Sequence, residues 1–518
     1  MKIAEQIKKL FSKYKRQIYF HLLLNLITAI SITYASYAHL PLNGFKDYSI
    51  YFIHFLLLQF SFFGVLYFVS LNKYVFYIVF PILFFVLSGL SFYVYTQDIV
   101  VSKYLIESIF QTSLLVSVEL FSVNLIIFSL ALIVLLYFIF KQYNKIGVSQ
   151  LKSPLLILAI LGLFTYNFIE DYRFNTFRSR MPFSAFHSLR MFFKNDDIKL
   201  LEVNKKVTSV KKEVTFIFIL GESVRADNLQ LNGYERETNP LLSKRKNILS
   251  FPNLYTPFTH TVPCVKQMLT SKSIKDDENL NEFYSVFSVL NQADYETFWI
   301  ANSTLVSSYE SIIKSNKNLM LIDKFRSIVS FNKALDDKML QPFDSIYGIK
   351  KNQFIGLHMT GSHWWYENRY SDAFRKFKPV IDSKHIPSLK KEQIINSYDN
   401  TLVYLDNFIN EVIKRVENKN TSAIVLYVSD HGEVLGEHGK WLHAQGLEES
   451  KNPAMILWYS DKFKNEYPEY VLNLKANAKK EITTDFLFHS ILDFYNIQNF
   501  DYNKSQSIFT EETLFERE

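Results

Sequence analysis

The sequence predicts a transmembrane domain of five helices, then an α/β domain whose mostly parallel central sheet is covered by helices. Three observations carry this. Apolar stretches at about 17–40, 49–71, 74–97, 120–140 and 155–169 follow one another, with short basic clusters before the first, between the second and third, and between the last two. After residue 213, β-branched and aromatic runs alternate with amphipathic helical patterns, the signature of a covered parallel sheet. Three of those runs end in polar residues able to bind a cation or carry a proton. The implied domains are 1–170 in the membrane, 171–212 as an interfacial bridge, and 213–518 as the extracytoplasmic α/β part.

A helix needs roughly 20 predominantly apolar residues to cross hydrocarbon. Stretches 49–71, 74–97 and 120–140 meet this without one Asp, Glu, Lys or Arg. The last stretch is shorter and carries Thr165, Tyr166 and Asn167. Orientation decides for it. Lys2, Lys8, Lys9, Lys13, Lys15 and Arg16 precede the first stretch, Lys73 lies between the second and third, and Lys141, Lys145 and Lys152 lie between the last two. Basic residues mark cytoplasmic loops, so five spans put everything after residue 170 outside the cytoplasm, whereas four would leave it inside. Five is the expectation.

The net charge of +7 is modest and sits partly beside the apolar segments, which speaks for membrane orientation and against nucleic-acid binding. Cys264 is the only cysteine, so no intrachain disulfide forms. No small-residue cleavage site follows the first apolar run, which therefore reads as a retained anchor. Segment 98–119, with Glu107, Thr112 and Glu119 as polar points, suits a helix lying on the membrane surface. Arg173, Arg178, Arg180, Arg190 and Lys194, set among phenylalanines, give the 171–212 bridge the same interfacial character.

In the second part, Val214–Leu220, Phe354–His358 and Ala423–Val428 read as strands buried on both faces. Between the last two, Tyr398, Leu402, Leu405, Phe408, Ile409 and Val412 recur at helical spacing over 392–416. Ligands of such sheets bind beyond the carboxyl ends of the strands. There stand Gly221-Glu222-Ser223, then Gly361-Ser362-His363 after His358, and Asp430-His431.

Glu222, Asp430 and His431 offer two carboxylates and an imidazole, a donor set suited to Zn²⁺ with one position open. Taken singly, each of these acids serves equally well as a helix cap; the shared strand-end position lifts the set. A nucleophile is needed beside them. Thr259 and Thr261 precede the helix-like stretch Val265–Thr270, where a helix N-terminus stabilises developing negative charge, and Cys264 is also in reach. His363 and His443 can hold a phosphate oxygen, bind a second metal or protonate a leaving group.

These residues resemble a family. Gly221 through Arg236 (GESVRADNLQLNGYER) followed by Asn239-Pro240, the Asn396–Asn400 motif (NSYDN), and Ser429 through Glu437 (SDHGEVLGE) with Leu442-His443 are similar to motifs of the phosphoethanolamine transferases. That family consists of multi-pass inner-membrane enzymes of Gram-negative bacteria with an alkaline-phosphatase-like domain in the periplasm. The resemblance implies that Glu222, Asp430 and His431 bind a catalytic zinc together with Thr261. It also implies that Thr261 is the nucleophile, with Thr259 as runner-up. His363, His443 and Glu433 then fall at substrate or second-zinc positions. A lysine of some relatives falls at Ser307, leaving Asn302 to serve that contact. In the surface helix, Thr112 and Glu119 fit lipid-facing polar positions, while Val116 replaces a glutamate.

The implied reaction is zinc-dependent transfer of phosphoethanolamine from phosphatidylethanolamine to an envelope glycolipid, lipid A or the lipooligosaccharide core, through a phosphothreonine-type intermediate. A monomer needing no nucleic acid is expected. A phosphoglycerol transferase or phosphatase would share the same metal site, and a lipid-binding receptor with a degenerate enzyme domain would lack it. Sulfatase activity fits poorly: it needs Cys or Ser two residues before a proline, and here Cys264 follows Pro263.

Overall fold

The computed structural model describes residues 2–511 apart from 98, 104, 107–108, 110–122, 173–175, 194–197, 212, 277–281, 304, 306, 327–332, 350–351 and 444–445. Glu107, Thr112, Val116 and Glu119 therefore lie outside the described residues, as do Arg173 and Lys194. The chain divides into two compact units. One comprises 1–194 with 325–331 and 382–388; the other comprises 195–324, 332–381 and 389–518.

The first unit is helical: α1 (Lys2–Ser31), α2 (Gly44–Ser70), α3 (Lys73–Gln97), α4 (Val123–Tyr143), α5 (Leu155–Tyr172) and α6 (Phe183–Phe193). Among the described residues three helices, α2, α3 up to Thr96 and α4, are long and apolar enough to cross a membrane. The first apolar stretch differs from the expected 17–40. Its helix starts at Lys2, ends at Ser31, and gives way to a 3-10 turn over Thr33–Ser36. The reason is local. The Thr28 hydroxyl returns to the Leu24 carbonyl, Thr33 donates to Gln59 on α2, and Pro41 follows.

Helix α5 packs against α2 through two glycines. A Cβ on Gly162 would lie 2.4 Å from the Phe60 carbonyl oxygen, and one on Gly64 would lie 2.7 Å from that of Ala159. The backbones approach too closely for any side chain, as small-residue contacts between membrane helices allow. Gln150, between α4 and α5, ties the end of α2 to the middle of α1. It donates to the Ser70 carbonyl at 2.6 Å, and its side-chain oxygen lies 3.0 Å from His21 Nε2. Buried polar groups need such partners.

The second unit is built on a mixed seven-stranded sheet. Its strands are β1 (Val214–Gly221), β2 (Ile248–Ser250), β3 (Glu296–Ala301), β4 (Asn318–Leu321), β5 (Gln353–His358), β6 (Ser422–Ser429) and β7 (Met455–Tyr459). They lie in the order β2-β7-β6-β1-β5-β3-β4, and β7 alone runs against the others. Every residue of β1, β5 and β6 is buried, as the continuous apolar runs predict. Helix α8 (Lys391–Asn418) buries Tyr398, Leu402, Leu405, Phe408, Ile409 and Val412, the residues its periodicity selects. Each such large side chain contributes roughly 1.5–3 kcal/mol by leaving water.

Register sets the site. Leu220 pairs with Val428 on one side and with His358 on the other. The three central strands therefore end level, and the residues that follow them emerge side by side.

Candidate active site

Glu222 leaves the end of β1 and is 2% exposed. Asp430 and His431 leave the end of β6 and are fully buried. His431 Nε2 lies 3.3 Å from Glu222 Oε1 and 3.3 Å from Asp430 Oδ2. One ligand atom from each of the three falls within 4.8 Å of the others, the spacing of a metal-binding group. Three local features hold the cluster. Asp430 Oδ1 accepts the backbone N–H of Ser223 at 3.1 Å and of His431 at 2.8 Å. His431 Nδ1 lies 2.8 Å from the Gly432 carbonyl, which fixes that nitrogen as the donor and leaves Nε2 its lone pair. Gly361, at φ +58°, lies against Glu222; a Cβ there would stand 2.8 Å from both the nitrogen and the oxygen of the Glu222 backbone. Glycine is what lets the loop after β5 close over the end of β1.

Thr261 is the first residue of α7 (Thr261–Leu269), and its hydroxyl donates to Glu222 Oε2 at 2.9 Å. Thr259 is half-buried, and among the described residues it makes no hydrogen bond to Glu222, Asp430 or His431. Cys264 is buried. Its Sγ faces Thr256 and the Phe258 carbonyl, and burial pushes the thiol well up, so it is a poor nucleophile.

Around this group stand the remaining polar residues. His363 Nδ1 lies 2.6 Å from the Trp364 carbonyl, so Nε2 is again left open. The rings of His363 and His443 lie 5.3 Å apart, and those of His431 and His443 lie 4.8 Å apart. His443 Nδ1 is 3.7 Å from Glu433 Oε1, while the other Glu433 oxygen accepts the Tyr366 hydroxyl at 3.2 Å. Asn302 stands further back. It donates to Asp336 Oδ1 at 2.8 Å, and Asp336 in turn accepts the N–H groups of Thr360 and Gly361. It supports the loop after β5 and touches none of the three metal-group residues directly.

Electrostatics agree with a cation site. Burial acts to raise Glu222, yet its contact with His431 and the nearby His363 and His443 hold the carboxyl well below its ordinary range. Burial and the Glu222 charge push Asp430 up to about 7. His431 is pushed up to about 10 against its burial, because Asp430 and Glu222 flank it. Burial depresses His363 to about 3 and keeps it a neutral ligand-type imidazole. Two carboxylates around one imidazole demand positive charge, a proton or a metal ion. Among the described residues Asp430 Oδ2 and His431 Nε2 are buried with no hydrogen-bond partner, the mark of a site shaped for an ion.

The family can now be decided. A sulfatase family model matches residues 214–497. The phosphoethanolamine transferase EptA of Escherichia coli K12 is 30% identical over 387 residues, covering 70% of this chain and 70% of that protein. The chain belongs to the phosphoethanolamine transferase family. Kdo(2)-lipid A phosphoethanolamine 7''-transferase of the same strain is 27% identical over 462 residues, or 76% of this chain and 77% of that protein. The integral membrane lipooligosaccharide phosphoethanolamine transferase A of Neisseria meningitidis shares the fold at a TM-score of 0.53 and 24% identity, covering 95% of this chain and 98% of that one. The zinc complex of the periplasmic EptC domain of Escherichia coli matches at a TM-score of 0.53 and 22% identity, over 61% of this chain and 91% of that one. This transferase thus pairs an alkaline-phosphatase and sulfatase-like domain with apolar N-terminal helices.

Sequence reasoning missed Tyr366, Arg369 and Asp336. Arg369 is buried and its Nε donates to the His363 carbonyl at 2.8 Å, fixing the loop that carries that histidine. The only signal was a basic residue standing among Trp364, Trp365 and Tyr366, and spacing alone does not interpret it.

Proposed function

We propose that this transferase takes phosphoethanolamine from phosphatidylethanolamine and passes it to an envelope glycolipid, lipid A or a lipooligosaccharide core, through a covalent ester on Thr261. The observation that carries the reading is the Thr261 hydroxyl on Glu222, beside the unpartnered Asp430 and His431 atoms. Residues 1–170 cross the inner membrane five times, 171–212 bridge at its interface, and 213–518 work in the periplasm as a monomer.

Glu222, Thr261, Asp430 and His431 would hold a Zn²⁺, and His363, His443 and Glu433 would bind the phosphate or a second ion. Their donor types and buried open atoms fit that ion. Bound zinc supplies positive charge that makes a threonine hydroxyl nucleophilic at neutral pH.

The chain's own residues do the rest. Thr261 Oγ1 bonds to phosphorus as the bond to the diacylglycerol oxygen breaks, and that oxygen leaves with a proton. The α7 N-terminus favours the negative charge that gathers there. His363 and His443 orient the phosphoryl oxygens, and phosphoryl transfer gains most from such positioning and charge. In the second half, an acceptor oxygen bonds to phosphorus and the Thr261 oxygen departs, restoring the hydroxyl. Thr112, Glu119 and Asn302 are assigned to the donor lipid's path. This uses the enzyme twice and needs no other co-substrate.

The test is mass spectrometry of envelope glycolipids from cells with and without the gene. Added phosphoethanolamine that disappears with Thr261→Ala supports the reading. An unchanged glycolipid, or modification persisting in Thr261→Ala, overturns it. A phosphoglycerol group on Thr261 would move the chain to the neighbouring chemistry.

A further inference from the structure

We infer that the helical unit carries a glycerophospholipid site of its own, with Arg180 and Lys384 facing the lipid phosphodiester and an apolar groove beside them taking an acyl chain. Two adjoining cavities carry the inference. The first, of about 110 Å³, is lined by Ala35, Ser36, His39, Ser184, Arg180 and Lys384 among others, and among the described residues no carboxylate lines it. The second, of about 280 Å³, is bordered by Ile30, Tyr34, Phe92, Tyr95 and Phe128 and is almost wholly apolar. Ala35 belongs to both. His39 joins them again, its Nε2 lying 2.7 Å from the Tyr95 carbonyl and its ring lying tilted, 5.3 Å from the Tyr95 ring.

The charges are placed for a phosphate. Neighbouring Arg178 is neutralised by Glu170 at 3.0 Å. Arg180 is not: among the described residues no carboxylate lies within ion-pair distance of it. One nitrogen donates to the Thr176 carbonyl at 2.6 Å and the guanidinium lies 5.4 Å over the Tyr37 ring, leaving further N–H donors of its five. Basic pockets among membrane helices bind lipid head groups. The groove follows the last turns of α1 and α3, so the pocket that holds Arg180 and Lys384 opens at the helix ends while the apolar groove continues along the helices. That order, charge then hydrocarbon, is the order of a glycerophospholipid. A free phosphate would use only the first cavity. Every metal-group residue belongs to the other unit, so the site does not depend on the transfer chemistry.

Native mass spectrometry of the full-length protein, with phosphatidylethanolamine or phosphatidylglycerol added to the detergent, tests this. Wild type and the exposed control Arg190→Glu should retain a lipid. Arg180→Glu with Lys384→Glu should retain at least ten-fold less, and Thr96→Trp, which fills the groove, should also lose it. Retention of both lipids identifies the phosphodiester as the feature bound, and retention of one names the source. Circular dichroism melts confirm that the variants fold. Equal retention by wild type and the charge-reversed variant overturns the inference, as does displacement of the lipid by millimolar inorganic phosphate alone.

Discussion

Thr261 and Glu222 stand 39 residues apart in sequence, yet the threonine hydroxyl donates to the glutamate at 2.9 Å. One residue opens a helix and the other closes a strand, so the contact exists only once α7 has docked against the end of β1. Replacing Thr261 by Ala removes the oxygen that the proposed mechanism bonds to phosphorus. Transfer should fall by about 10³-fold or more, since loss of a covalent nucleophile is not compensated by its neighbours. Thr261→Ser keeps the oxygen and should keep measurable activity. Intact-protein mass spectrometry after incubation with donor lipid should find the adduct on wild type and Ser, and none on Ala.

On the proposed zinc site, removal of the ion should cost stability as well as activity. A ligand bound only by the folded state stabilises it by about 2.7 kcal/mol at one hundred times its dissociation constant. Chelator treatment should therefore lower the melting temperature of wild type and leave that of Asp430→Asn with His431→Ala nearly unchanged. Metal analysis of the same samples should show zinc in wild type and its loss in the double variant. A melting shift equal in both proteins would separate the chelator effect from this cluster.

The three buried strands, α8 and the polar residues at the strand ends were legible because one pattern repeated at each of them. The order of the strands was not. Leu220 must pair with both Val428 and His358 before Glu222 and Asp430 come together, and register across distant segments leaves no local signal. Thr259 and Thr261 were inseparable by spacing alone; the start of α7 decides which hydroxyl reaches Glu222. The hydrogen bond from Asn302 to Asp336 joins residues 34 apart, and spacing does not announce it. The first apolar stretch ran past its helix because hydropathy does not register the Thr28 and Thr33 hydroxyl contacts.

Gly361 tests how tightly the site is framed. Its φ of +58° and its contact with the Glu222 backbone both oppose a side chain. Gly361→Ala should destabilise the protein by about 1–3 kcal/mol, the range for a residue held in a sparsely populated backbone region. Because the displaced neighbour is Glu222, kcat should fall more than melting alone predicts. Thermal melts and steady-state kinetics on the same preparation compare the two.

Lys211 gives a pH-dependent prediction away from the active site. Its Nζ has no hydrogen-bond partner and lies 3.5 Å from the centroid of the Tyr470 ring and 4.6 Å from that of Tyr467. Burial lowers its pKa to about 7, with nearby Asp493 pulling the other way. Below pH 7 both folded and unfolded chains hold the proton, and the folded state bears the full cost of a buried ammonium. Between about 7 and the ordinary lysine value only the unfolded chain keeps the proton, so stability rises with pH across that window. Lys211→Met should raise the melting temperature near pH 6, and the difference from wild type should shrink toward pH 10. A gain that stayed constant with pH would mean the ammonium is solvated and the aromatic rings carry its cost.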